Sequence, residues 1–167
     1  MERISDIINR TAEIALLVII SVMAGVVFME VLFRYVLMLP LFWTEEFARY
    51  CLVWSSLLGA GVALKRGEHI AVTFLVDRIP GGIGPQVAFL VPIFIALFLA
   101  ITLWGGVHLV VITRDQLSPA MRIPMSWPYL AIPISSSIML FHEIAFMHKR
   151  LKSMILSTGS RNESAER

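Results

Sequence analysis

Phe42-Trp43-Thr44-Glu45-Glu46-Phe47-Ala48-Arg49-Tyr50 opens a stretch that passes through an apolar segment, Cys51 to Leu64, into Lys65-Arg66-Gly67-Glu68-His69. Charged side chains stand at both borders of that segment and none within it. A charged side chain at the centre of a bilayer costs about 3 kcal/mol even by the mildest scale. A segment charged only at its borders therefore reads as a helix that crosses a membrane with its charges near the two surfaces.

The rest of the chain repeats this plan. Of 167 residues, 57% are hydrophobic and 16% charged, with a mean hydropathy of +0.79. Soluble domains carry about a quarter charged residues. Apolar runs over residues 12–32, 47–64, 86–112 and 127–146 each approach the roughly 20 residues that span a bilayer core. Backbone amides in lipid must be paired internally, so these runs are expected to be helices. The third would be about 40 Å long at 1.5 Å per residue, which calls for tilting, kinking or projection beyond the lipid. Pro92 lies near its start.

Basic residues set the expected orientation. Arg3, Arg10, Lys65, Arg66, Arg78, Lys149, Arg150, Lys152, Arg161 and Arg167 fall on one side. Arg34, Arg49, Arg114 and Arg122 fall on the other. The positive-inside rule places the first set in the cytoplasm. Residues 1–13 put Ile4, Ile7, Ile8 and Ala12 on one face against Glu2, Arg3, Asp6, Asn9, Arg10 and Glu13, a pattern suited to an amphipathic helix in the interface plane. A cleaved signal peptide is the rival reading, but no A-x-A site ends the long apolar run. The lone cysteine, Cys51, forms no intrachain disulfide. The expectation is an all-α integral membrane protein. It comprises a single four-helix domain over residues 1–156, an N-terminal interfacial helix, both termini cytoplasmic and a disordered polar tail over 157–167.

The charges near the membrane surfaces are the candidate functional residues. Glu30 and Arg34 stand i,i+4 and can pair along one helix face. Thr44 suits an N-cap, placing Glu45 and Glu46 in the positive first turn of the second helix. Arg49 is within reach of either acid, and Trp43 and Tyr50 suit an interfacial aromatic belt. These groups either cap and anchor the second helix or tie helices one and two to each other or to a neighbour. Cys51, Ser55, Gly59 and Ala63 recur every four residues, a stripe of small side chains that permits close helix packing. Gly67 is expected to end the second helix as a left-handed C-cap, leaving Glu68 and His69 in a cytoplasmic loop. Residues 70–80 would follow as a short interfacial segment closed by Pro80-Gly81-Gly82. Pro119, Pro124 and Pro128 keep the outer loop irregular. Pro133 bends the fourth helix beside Ser135, Ser136 and Ser137.

The expected midplane, near Val22, Ser55, Leu99 and Ser136, holds no ionisable residue. Autonomous ion-coupled transporters place carboxylates or histidines there, and a small multidrug exporter would want a deeper acid than Glu30. A b-type haem needs two imidazoles at matching depth. His108 and His142 lie toward opposite ends of their helices, and His69 and His148 belong to inner segments. No nucleophile–base pair or metal-ligand cluster stands out, which argues against an enzyme.

Trp43-Thr44-Glu45-Glu46-Phe47-Ala48-Arg49, Leu58-Gly59-Ala60 and Gly67-Glu68-His69-Ile70 together resemble the small membrane subunit (DctQ type) of the TRAP transporters. These are the tripartite ATP-independent periplasmic transporters of bacteria and archaea. The family often has an acid shortly after the histidine, where this chain has Ala71-Val72-Thr73. The resemblance implies a scaffold subunit of the inner membrane without a transport site. It would pack on a large multi-spanning membrane subunit that takes up an organic anion by a sodium-driven elevator motion. A periplasmic binding protein would deliver that anion. The interface with the partner or with bound phospholipids would draw on Glu30, Arg34, Trp43, Glu45, Glu46, Arg49, Ser55, Gly59, Ala63, Gly67, Glu68 and His69. No cofactor is implied. A membrane anchor for a redox enzyme complex is the alternative.

Overall fold

The computed structural model describes the backbone of residues 2–78 and 84–165, and the side chains of 3–66 and 90–148. Four long helices dominate: α1 (Glu2–Tyr35), α2 (Thr44–Arg78), α3 (Gly84–Ile112) and α5 (Ala131–Ala165), with a single turn, α4 (Ser126–Tyr129), before the last. Among the described residues, each of the four long helices contains a stretch apolar enough to cross a membrane. The chain is an all-α, multi-pass membrane protein.

Helix boundaries differ from expectation at three places, and each has a local cause. The N-terminal segment is the first part of α1, not a separate interfacial helix. No proline or glycine separates residues 2–13 from the apolar run. The side turned onto the bundle is not the expected apolar face as a whole: Ser5 and Ala12 are buried, while Ile4 and Ile7 are exposed. Gly67 does not stop α2, which continues to Arg78. A glycine inside a helix costs only about 1 kcal/mol, whereas Pro80 disfavours helix in the residue before it. The side chains of Glu68 and His69, and the turn expected at 80–82, lie outside the described residues. The tail expected to be disordered continues α5 to Ala165.

At the start of the fourth span, α4 ends at Tyr129 and α5 begins at Ala131. Pro133 has no N–H for the Tyr129 carbonyl, and its ring crowds that carbonyl. The ladder therefore lacks one bond there, while Leu130 keeps right-handed helical angles (φ −56°, ψ −22°) and its N–H donates to the Ser126 carbonyl at 3.0 Å. Ser137 donates back to the Pro133 carbonyl at 2.7 Å.

The central pair is α2 and α5. α1 lies along α2 and touches α5, while α3 lies along α5 and touches α2. Buried α3 positions recur every seven residues, at Pro92, Leu99 and Gly106, and the line continues to Thr113 just past the helix end. At Gly106 the helices come so close that an added Cβ would meet Ile132 Cγ2 at 2.8 Å and Pro133 Cδ at 3.1 Å. The apolar core is thin: Ala12, Leu58, Val62, Leu99 and Ala131 are its buried hydrophobic members among the described residues. Much of α1 and α3 therefore presents apolar side chains outward, as a membrane environment allows.

Candidate functional site

Polar side chains gather at the two ends of the bundle. At the outer end the connection between α3 and α4 folds into a miniature hairpin. Leu117 bridges Pro124, the Ser118 N–H donates to the Ile123 carbonyl at 2.9 Å, and the Met125 N–H donates to the Gln116 carbonyl at 2.8 Å. Arg122, at the tip, is held at φ 54°. That left-handed conformation costs a non-glycine residue about 1 kcal/mol.

Glu46 clasps this tip to α2. Its Oε2 accepts the N–H groups of Ala120 at 2.7 Å and Met121 at 3.2 Å. Its Oε1 accepts the Tyr50 hydroxyl from the next turn of α2, and the Ser118 hydroxyl also bonds to the carboxylate. The residue is 7% exposed, and Ser118 is buried with it. Tyr50 additionally lies 3.4 Å from Met125 Sδ. The tyrosine expected in an aromatic belt is thus a strut of the clasp. Four donors on one carboxylate compensate its removal from water.

The adjacent acid behaves differently. Glu45 pairs with Arg49 at 3.1 Å on the outer surface, with side-chain exposures of 77% and 65%. The choice left open between the two acids is settled by their directions: Arg49 goes with Glu45, and Glu46 faces inward. Thr44 is fully buried but is not an N-cap. Its hydroxyl donates to the Leu41 carbonyl at 2.8 Å, and the Phe47 N–H goes to the Trp43 carbonyl at 3.0 Å. Trp43 meets Phe47 edge-on at 6.3 Å. Together Phe42, Glu45, Arg49, Tyr50, Pro119 and Tyr129 border a groove of about 470 Å³.

Glu30 and Arg34 do pair i,i+4, but along α1 itself, with no tie to α2. The small-residue stripe is not the chain's own packing surface. A Cβ on Gly59 would meet nothing within 4 Å, Ala63 is exposed, and the Ser55 hydroxyl is returned to the Leu52 carbonyl at 3.0 Å. Beyond Thr44 and Glu46, the described residues of α2 that are buried are Leu58, Gly61 and Val62.

At the inner end the bonds cross between helices, and sequence reasoning missed them. Lys65 reaches Asp6 at 2.6 Å and Arg66 reaches Glu13 at 2.6 Å, tying α2 to α1. Asn9 donates to the same Glu13 oxygen at 2.7 Å. The Ser5 hydroxyl and His142 Nδ1 lie 2.9 Å apart, joining α1 to α5. His142 is 1% exposed and its neighbour Glu143 is 3% exposed. The available signal was the seven-residue spacing of Asp6 and Glu13, which puts both on one face of α1. Lys65, which the sequence offered as a marker of the inner side, is engaged by Asp6.

The family profile described as tripartite ATP-independent periplasmic transporters, DctQ component, matches residues 23–153. The sialic acid TRAP transporter small permease protein SiaQ of Vibrio cholerae is 24% identical over 160 residues, covering 93% of this chain and 90% of that protein. The C4-dicarboxylate TRAP transporter small permease protein DctQ of Rhodobacter capsulatus is 31% identical over 113 residues, 64% of this chain and 48% of that one. The isethionate TRAP transporter permease protein DctMQ of Oleidesulfovibrio alaskensis is 34% identical over 99 residues, which are 58% of this chain. The match to DctMQ spans only 16% of that relative's length.

Proposed function

Because the chain belongs to the DctQ component family of the tripartite ATP-independent periplasmic transporters, we propose that it is the small membrane subunit of such a complex, a scaffold for a large permease subunit. The family is one of transporters, not enzymes. The observation that carries the scaffold role is the disposition of charge. The buried ionisable residues among those described, Glu46, His142 and Glu143, stand away from the middle of the membrane-crossing stretches Thr44–Arg66 and Ser126–His148. Glu46 is occupied in bracing a loop, and His142 in joining two helices. A coupling site would instead keep ionisable groups deep in the membrane and free to change partners.

In this reading the large subunit moves the substrate. The small one contributes a fixed frame, braced at the outer end by the hairpin clasp and at the inner end by the α1–α2 ion pairs. The substrate is an organic anion supplied by a soluble periplasmic binding protein, and its uptake is driven by an ion gradient, with sodium as the coupling ion. The three relatives named above differ in substrate, in keeping with recognition residing in other subunits. The complex sits in the inner membrane, with the Lys65–Arg66 end and both termini in the cytoplasm, as the distribution of basic residues favours. Phospholipid headgroups meet Arg34 and Arg49, whose side chains are 52% and 65% exposed.

Purification of the tagged chain from its native membranes in mild detergent, with mass spectrometry of what accompanies it, tests this function. The expected result is a stoichiometric, much larger multi-spanning protein without a chromophore. A haem-bearing or soluble redox partner, or the chain alone as a homo-oligomer, would overturn it.

A further inference from the structure

Beside the groove bordered by Glu45 and Arg49 lies a second one, of about 330 Å³, which shares Tyr50 and Pro128 with it. Ile19 of α1, Phe47, Cys51 and Trp54 of α2, and Met121 and Ile123 of the hairpin line this second groove, and all six are half-buried. Positions 47, 51 and 54 share one face of α2. Three elements thus enclose an apolar concavity, which distinguishes it from an open helix face. From the start of α2 at Thr44 down to Trp54 is about 15 Å, half of the roughly 30 Å hydrocarbon core. The groove therefore reaches through one leaflet and no further. So small a volume over that depth is too narrow for a helix, which with its side chains is about 10 Å across. It suits a single extended hydrocarbon chain.

The charge at its mouth completes the pattern. Four arginines stand at the outer end. Arg34 is paired with Glu30, Arg49 with Glu45, and Arg114 lies 4.0 Å from Asp115. Arg122 is exposed and has no ion pair among the described residues. It stands between Met121 and Ile123, both of which line the groove. Glu46 holds the backbone that leads to it through the N–H groups of Ala120 and Met121, and Arg122 itself is kept left-handed. The fold thus fixes an uncompensated cation where an apolar groove opens. Trp127 also lines the groove and is 64% exposed, a residue type that settles at headgroup level.

We propose that this groove is a binding site for an anionic phospholipid of the leaflet on that side. The phosphodiester rests on the Arg122 guanidinium, whose planar fork matches phosphate oxygens. One acyl chain descends past Phe47, Cys51 and Trp54. The proposal needs only that the chain crosses a membrane, so it stands apart from the scaffold reading. It gives the clasp a second consequence, because the carboxylate that braces the hairpin also sets where Arg122 stands.

The test places the full chain in phosphatidylethanolamine vesicles that contain phosphatidylglycerol with a photo-reactive group on one acyl chain. Crosslinked residues are mapped by mass spectrometry. Phosphatidylglycerol retained through purification in mild detergent is counted for the wild type, Arg122→Gln and Arg114→Gln. Crosslinks are expected to concentrate at residues 47–54 and 121–123. Arg122→Gln should lower the retained lipid about tenfold, the scale of one charge-assisted hydrogen bond, while Arg114→Gln should match the wild type. Crosslinks spread evenly along α1 and α3 would show surrounding lipid only and overturn the proposal. Equal retention by all three chains, or equal loss in both variants, would also overturn it. So would a photo-reactive side chain at Ile123 that, in native membranes, joins another protein instead of lipid.

Discussion

The outer and inner ends of this bundle solve the same problem, polar groups beside a membrane, with different chemistry. At the outer end a single carboxylate, Glu46, is buried and met by two backbone N–H groups and two hydroxyls. At the inner end charge meets charge across two helices, Lys65 with Asp6 and Arg66 with Glu13, and Asp6 and Arg66 remain largely exposed. Backbone donors cannot rotate away, so the outer clasp fixes a loop geometry that includes a left-handed arginine. Long side chains in water exchange partners, and an exposed pair contributes only about 0.2–1 kcal/mol. The outer end is built as a rigid platform and the inner end as an adjustable seam.

The comparison is most easily broken by overfilling the outer half. Gly106→Val forces atoms into Ile132 and Pro133, and should destabilise the bundle by about 1–3 kcal/mol in thermal or denaturant unfolding in detergent. Gly59→Val adds the same atoms over open space and should leave the midpoint nearly unchanged. Equal effects would mean that the α3–α5 crossing is not the tight contact described. A smaller effect is expected at the inner seam. Lys65→Met removes the tie to Asp6 while keeping an apolar stem, and should cost at most about 1 kcal/mol. That cost should shrink in high salt, because exposed charges are screened over about 10 Å at 0.1 M ionic strength. A large, salt-independent loss would show the inner end to be as rigid as the outer.

Much of this arrangement was legible in the sequence. The four spans follow from apolar length, and the concentration of polar chemistry around residues 43–50 follows from the acids and arginine that border an apolar run. Adjacent acids such as Glu45 and Glu46 differ by about 100° around a helix. Sequence therefore shows that they diverge, but the inward one is fixed only by where the hairpin packs. Ser5 and His142 are separated by 137 positions, and no local pattern pairs them. Gly67 is ambiguous in principle, because glycine serves both as a helix terminator and as a tolerated interior residue. The residues after it, free of proline until Pro80, decided the matter. Buried Glu143 drew no attention because an acid near the end of an apolar run resembles a solvated flank.

Hydrogen–deuterium exchange at the amides of Ala120 and Met121 tests the clasp most directly, compared among the wild-type chain, Glu46→Ala and Glu45→Ala. Both amides lose their acceptor in Glu46→Ala. Exchange there should accelerate by an order of magnitude or more as the hairpin opens locally, whereas Glu45→Ala should match the wild type. Unchanged protection in Glu46→Ala, or equal acceleration in both variants, would contradict the assignment of Glu46 as the residue that holds the outer end together.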